Sequence, residues 1–462
     1  MNKCENFANL NFRADCPEMI LSCQGKRPVE IKGSGEIWQD EKGTIRFKIY
    51  LTVESLERLA IHMNKTKVAG QLLNDDDYFK LTAYDYKGPV WLADSIYPNL
   101  EKGLNGGMAV GMIYQLKNHY EFSSELQKSC VTVRFLGETN FPANLATQTE
   151  TRVGKRLVSS SGSMNAAEAT IDNSIFKIGI EGKHTVASLC LIGPIDPTFI
   201  ASNIEAALQF ATGRELTRLT VESSEKNIIN STLCSAKTTG PKGYIQSPLN
   251  VNTFDTNGHF WQLFSDYYRH VSSNESLKNN PLSNHISMAI ESSVATMEAA
   301  VLALAVGVEG IAKHTLKAEA KTQNNELLEE IELVSKAISN LTISETTKKR
   351  IQGSINALKN VRTTDLLKNF IENSSLSKGT YEAWNTLRNK VAHGSGLQYK
   401  DIELNLQFRD KVIALMYALV FDAICYKGPF VNYGLPGWPE SNWPMDIEAK
   451  PTSENTSCIK SS

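Results

Sequence analysis

The spacing of apolar residues changes partway along this chain, and a change of period means two kinds of secondary structure in two successive regions. From about residue 28 to 200 apolar residues recur at every second position, as a half-buried strand requires. Ile45, Phe47, Ile49 and Leu51 alternate with Arg46, Lys48 and Tyr50, and Val131, Val133 and Phe135 repeat the pattern. Phe176, Ile178 and Ile180, then Val186 to Leu191, add further runs. Turn-forming clusters such as Lys42-Gly43, Asn105-Gly106-Gly107 and Gly193-Pro194 separate them. This half is expected to be an antiparallel sheet or sandwich with one helix near Ile204 to Thr212, and the polar stretch Thr149 to Thr170 is expected to be a long exposed loop.

After a Gly-, Pro- and Asn-rich passage from Lys237 to Gly258 the period becomes helical. Ile286, Ile290, Val294, Met297, Val301, Leu304, Val308 and Ile311 fall three or four apart, which predicts one long helix with one apolar face. Helices are also predicted over His259 to Ser273, Leu327 to Leu341 behind an Asn325 cap, Ser344 to Leu358, Thr363 to Glu372, Thr380 to His393 and Asp401 to Cys425. Together they form a bundle of about seven helices. The fold class is therefore α+β: a β-rich domain over 1–250, an all-α bundle over 255–427, and an extended tail over 428–462 whose end, Pro451 to Ser462, is expected to be disordered.

At 462 residues the chain exceeds one ordinary core. A formal net charge of -2 gives no overall nucleic-acid footprint, so RNA affinity would need a local patch. The N-terminus lacks the pattern of a secretory signal, and the apolar run Ala299 to Val308 is about half of a membrane span. A cytoplasmic protein without membrane contact is expected. Eight cysteines without Cys-x-x-Cys spacing indicate neither a zinc site nor a disulfide framework; Cys16 and Cys23 can pair, but reduced thiols are the expectation. Asp75-Asp76-Asp77 reads as a solvated turn, and Gly33-Ser34-Gly35 is too short for a phosphate loop.

One segment carries chemistry. Arg388-Asn389-Lys390-Val391-Ala392-His393, followed by Gly394, ends the helix whose face is built by Tyr381, Trp384, Leu387 and Val391. Gly394 is a natural C-cap, and a helix C-terminus favours imidazolium. RNA supplies its own nucleophile, the 2′-hydroxyl, so a nuclease need only move protons and stabilise a crowded phosphorane. His393 can act as acid or base, Arg388 can hold the scissile phosphate, and Asn389 can orient either. This chemistry needs no metal and no cofactor. Between Glu345 and Lys411 basic residues outnumber acidic ones 12 to 7, with Lys390 inside the motif and Tyr399 beside Lys400 as a stacking candidate. The competing reading of the motif is a surface helix end with a capping His and a solvated Arg.

This segment resembles the signature of HEPN-domain ribonucleases, and a helical bundle behind a β-rich half looks like the ApeA-type bacterial anti-phage proteins. The resemblance, over about residues 255 to 427, implies a HEPN-type bundle, a homodimer or higher homo-oligomer with facing motifs, and an RNA substrate such as tRNA. It implies abortive-infection defence, with the N-terminal half as sensor and a phage protein as activator. It also implies an acidic residue on an early bundle helix, for which Glu309 and Lys313 are the candidates, against their reading as a surface ion pair. The alternative function is a non-catalytic, dimerising adaptor that binds RNA or protein. A third, an enzyme working on a small molecule in the β domain, would be raised by a deep polar pocket containing His119 or His184.

Overall fold

Period-2 segments of the first half fold as strands and the amphipathic segments of the second as helices. A computed structural model describes residues 7–23, 28–66, 78–121, 128–153, 156–193, 196–236, 240–251, 257–273, 280–316, 325–358, 362–374, 376–377, 379–392 and 401–444. The chain divides into two compact units, one from residues 1–209, 216–241 and 251–256, the other from 210–215, 242–250 and 257–462.

The first unit holds β1 (Arg13–Cys23), β2 (Val29–Gln39), β3 (Ile45–Leu51), α1 (Val53–Thr66), β4 (Phe79–Tyr84), β5 (Val90–Ile96) and β6 (Asn99–Gly103). Next come β7 (Gly106–Ile113), β8 (Gln115–Glu121), β9 (Ser129–Leu136), β10 (Leu145–Val153), β11 (Arg156–Ile171), β12 (Ser174–Glu181) and β13 (His184–Leu191). Helix α2 (Pro197–Thr212) begins here and is followed by β14 (Arg218–Glu225) and β15 (Ile228–Cys234). Hydrogen bonding links the fifteen strands into one sheet, in the order β10-β11-β12-β13-β9-β14-β15-β8-β5-β4-β1-β2-β3-β7-β6. Alternation fixes its core face: Ile45, Phe47 and Ile49 are fully buried while Arg46 and Lys48 between them are not. Gly33 and Gly35 lie inside β2, where a Cβ would stand 2.2 Å from Tyr50 O and 1.9 Å from Lys48 O. The pair admits the neighbouring strand; it is no phosphate loop.

The second unit holds α3 (His259–Ser272), α4 (Pro281–Ser292), α5 (Met297–Thr315), α6 (Asn325–Ser339), α7 (Glu345–Leu358), α8 (Thr363–Asn373), α9 (Gly379–Ala392) and α10 (Ile402–Ala423). Every residue from Val412 to Phe421 of α10 is buried, so this helix is the axis of the unit. Helices α5 and α9 pack on it and on each other, while α6 and α7 pair through Ile331, Ile338 and Ile355. In the tail, β16 (Gly428–Val431) pairs with β17 (Glu440–Trp443), and Phe430 and Trp443 pack around Phe421.

Four expectations need correction. The long helix through Ile286 to Ile311 is two helices. Asn280 caps α4 by accepting from Leu282 N–H at 2.9 Å, and Thr296 caps α5 by accepting from Ala299 N–H at 3.3 Å. The stretch Thr149 to Thr170 is the hairpin β10–β11, not a loop, held by backbone pairing that needs no apolar alternation. Cys130 and Cys190, partners across β9 and β13, form a disulfide, whereas Cys16 and Cys23 both lie on β1. Finally β1 and α1 lie where neither was expected. A bulge between Cys16 and Met19 breaks the β1 alternation, and α1 buries Leu56, Leu59 and Met63 in the midst of strand-like sequence. Asp75-Asp76-Asp77 and the tail from residue 445 lie outside the described residues. Among the described residues no helix is long and apolar enough to cross a membrane.

Candidate functional site

Helix α9 is amphipathic, with Thr380, Ala383, Trp384 and Leu387 buried at helical spacing. Trp384 anchors it: its Nε1–H donates to the Ala305 carbonyl of α5 at 3.1 Å, and the ring is fully buried. One turn further, Arg388 Nε–H donates to Glu309 Oε2 at 3.0 Å. The two contacts climb α9 and α5 together, residue 384 to 305 and 388 to 309, so the helices run parallel here. The Arg388 guanidinium also lies 5.8 Å from the Trp384 ring centroid, over an indole that its own hydrogen bond locks in place.

Glu309 receives a second cation. Lys313 Nζ, one turn along α5, donates to Oε1 at 2.9 Å. Burial pushes the Glu309 carboxyl up, but the Lys313 hydrogen bond and the charges of Arg388 and Lys313 outweigh it and hold the group below its ordinary value. Glu309 is thus a carboxylate at neutral pH, suited to holding a cation and unsuited to donating a proton. The Arg388 side chain retains 37% of its exposure against 20% for Glu309, so the arginine is the member of the pair open to a ligand.

Of the residues singled out in the sequence, the structure brings Arg388, Glu309 and Lys313 together. It does not join Asn389 to them: Asn389 Nδ2 donates to Asn385 Oδ1 at 3.1 Å, one turn back along α9. Lys390 is half-buried on the same helix. His393 directly follows the last residue of α9, and both it and Tyr399 lie outside the described residues.

Sequence reasoning missed two features. Trp384 appears there only as a core residue, although an aromatic one turn before an arginine is the available signal for a cation platform. A histidine group built by the last turns of α3 and α5 and by His285 within α4 went unnoticed. His285 packs against Gly310, where a Cβ would meet its Nε2 at 2.1 Å. Burial first, and then the charge of His314, push both His270 and His285 below the ordinary imidazole value. Among the described residues no group of His, Cys, Asp or Glu is arranged to hold a metal ion. The chain matches no protein-family model, no curated protein and no solved structure, so the reading of this site rests on its own chemistry.

Proposed function

We propose that the helical unit is a HEPN-type endoribonuclease that cleaves RNA through its 2′-hydroxyl without a metal, with Arg388 as phosphate clamp and His393 as proton-transfer group. The observation that carries this reading is the Glu309–Arg388 pair, which joins an acidic residue of an early bundle helix to the arginine of the motif. Three features support the role of Arg388. Its Nε is fixed by a carboxylate, its guanidinium carbon stands 5.8 Å from the centroid of an indole ring, and its side chain is partly open. A guanidinium held along one edge offers its remaining N–H groups to phosphate oxygens with little left to order. Glu309 acts through Arg388 and is a positioning residue. In the cleavage the 2′-oxygen bonds to phosphorus as the bond to the 5′-oxygen breaks; His393 takes the 2′-hydroxyl proton or gives one to the leaving 5′-oxygen, and water serves at the other end.

The cellular role we propose is abortive infection: cleavage of host RNA, tRNA being a suitable substrate, once the N-terminal unit detects a phage component. A chain that cuts essential RNA in its own host must be restrained, and a large domain outside the nuclease can supply that restraint. Assembly into a homodimer would set two motifs in one cleft.

Wild type and His393→Ala are to be expressed in bacteria with and without phage, and RNA ends bearing 5′-hydroxyls sequenced. Ends that depend on His393 are expected in the infected culture. Protection of the culture without any such ends would transfer the assignment to the non-catalytic adaptor. Glu309→Gln should lower cleavage about 10- to 100-fold, as misplacement of a clamp does.

A further inference from the structure

The sheet unit contains a polar cavity independent of the Arg388 site. Its floor follows from strand register. His119 of β8 stands opposite Asn230 of β15, and Asn230 opposite Ser223 of β14. Two residues along, Lys117 stands opposite Thr232, and Thr232 opposite Val221, with Leu92 of β5 on the other side of Lys117. Side chains two apart on a strand share a face, so an ammonium, an imidazole, two hydroxyls and an amide project from one patch of three neighbouring strands. The first turn of α2 and Arg218 close the side, enclosing about 330 Å³.

The charges in this cavity have one sign. Lys117 and Arg218 line it, and no carboxylate does. Arg218 is immobilised from behind: its Nε donates to Glu205 Oε2 at 2.8 Å, and its Nη2 donates to the same carboxylate and to Ser202. Lys117 is held by Asp94 at 3.0 Å, but both members are about half exposed, so water screens the pair and a stronger anion can take the ammonium. The N-terminus of α2 adds no positive end, because Asp196 already accepts from Thr198 N–H and Phe199 N–H. Selection for an anion therefore rests on the two cations and the neutral donors.

Size narrows the class. The volume lies at the small end of the range for small-molecule sites and far exceeds a bare inorganic ion. Leu92 and Val221 flank the polar row and give an organic body an apolar surface to lie on. Val221 and Ser223 are buried beneath, whereas Lys117, His119 and Asn230 are exposed, so the cavity opens at the β8 and β15 side. We propose that this cavity binds a small organic phosphate, a phosphomonoester of sugar-phosphate or nucleotide size, with its phosphate between Lys117 and Arg218 and its hydroxyls on Thr232, Ser223 and Asn230.

The test is calorimetric titration of the full chain with AMP, ribose 5-phosphate, inorganic phosphate and adenosine. At least one of the two phosphomonoesters binds saturably, more tightly than inorganic phosphate, and adenosine is at least about ten-fold weaker than the phosphomonoester that binds, the difference one lost charge-assisted contact makes. Lys117→Met weakens binding about ten-fold or more, and Asn230→Trp, at the open mouth, abolishes it. Thermal unfolding of each unliganded variant within a few degrees of wild type shows that the fold is intact. Failure of both phosphomonoesters to bind overturns the proposal. So does equal binding of adenosine and AMP, or binding indifferent to both substitutions. None of these outcomes depends on whether His393 cleaves RNA.

Discussion

Trp384 makes two uses of one side chain: its edge donates to the α5 backbone and its face carries the Arg388 guanidinium. Trp384→Phe keeps a ring at this buried position and removes the donor. The expected loss is about 1–2 kcal/mol from the missing hydrogen bond and the smaller ring, read as a lower urea midpoint with an unchanged slope. An unchanged midpoint would show that the bond to Ala305 contributes nothing. His270 and His285 make a second residue-level prediction, with a definite sign. Their folded values lie below the ordinary 6.5, so between folded and unfolded values the unfolded chain binds more protons and stability rises with pH. Stability should therefore fall as pH drops from about 6.5 through the two folded values. His314→Gln removes one cause of both shifts, and it should flatten that dependence and raise both imidazole values in an NMR titration. A variant that titrates as the wild type does would rule out the coupling.

At the level of elements, caps decided what periodicity could not. Val294 continues the three-and-four spacing from Ile290 to Met297, so the pattern crosses the break between α4 and α5 without a gap; in the fold it is 44% exposed. The break belongs to Thr296, whose hydroxyl takes the Ala299 N–H. Thr296→Ala should cost about 1 kcal/mol and Thr296→Ser should recover most of it, measured by urea denaturation; equal stability of Ala and Ser variants would mean that the cap is idle. Where one face was apolar and an end was marked by Asn, Ser or Gly, as in α7, α8 and α9, the sequence was sufficient to locate the helix. Strand β1 was hidden by its bulge, α1 by its strand-like neighbours, and β10–β11 by composition rich in Ser and Thr. The site was legible in the same uneven way. Arg388 and Asn389 stand out as neighbours in a motif, but contact between Arg388 and Glu309 spans 79 residues and is fixed by packing of α9 on α5. In the sequence Asn389 reads as an amide that orients the imidazole or the phosphate, whereas in the fold its nitrogen donates to Asn385, one turn back along α9.

For the whole molecule, the feature least legible in the sequence is the covalent one. Cys130 and Cys190 are 60 residues apart in a chain with no recognisable cysteine framework, and they meet because β9 and β13 pair in a register that sets them opposite each other. Closing a loop of that length removes conformations from the unfolded chain, worth about 4 kcal/mol in the chain-entropy account. In a reducing medium the thiols are freed, and the sheet then holds or fails without this contribution. The remaining ladder can hold it: β9 also pairs with β14, β13 with β12, and Val131, Val133, Phe135, Ala187 and Leu189 bury one face of the two strands completely. Reduction should therefore loosen the sheet locally and leave it folded. Hydrogen exchange read by mass spectrometry should show reductant lowering protection in β9, β13 and their neighbours β12 and β14, with β1, β2 and β3, far along the same sheet, little changed. A Cys130→Ser/Cys190→Ser variant should exchange like the reduced wild type and ignore the reductant. Uniform loss across all fifteen strands would instead make the cross-link a requirement for the fold, and a reductant effect that persists in the double variant would assign it to another oxidised cysteine.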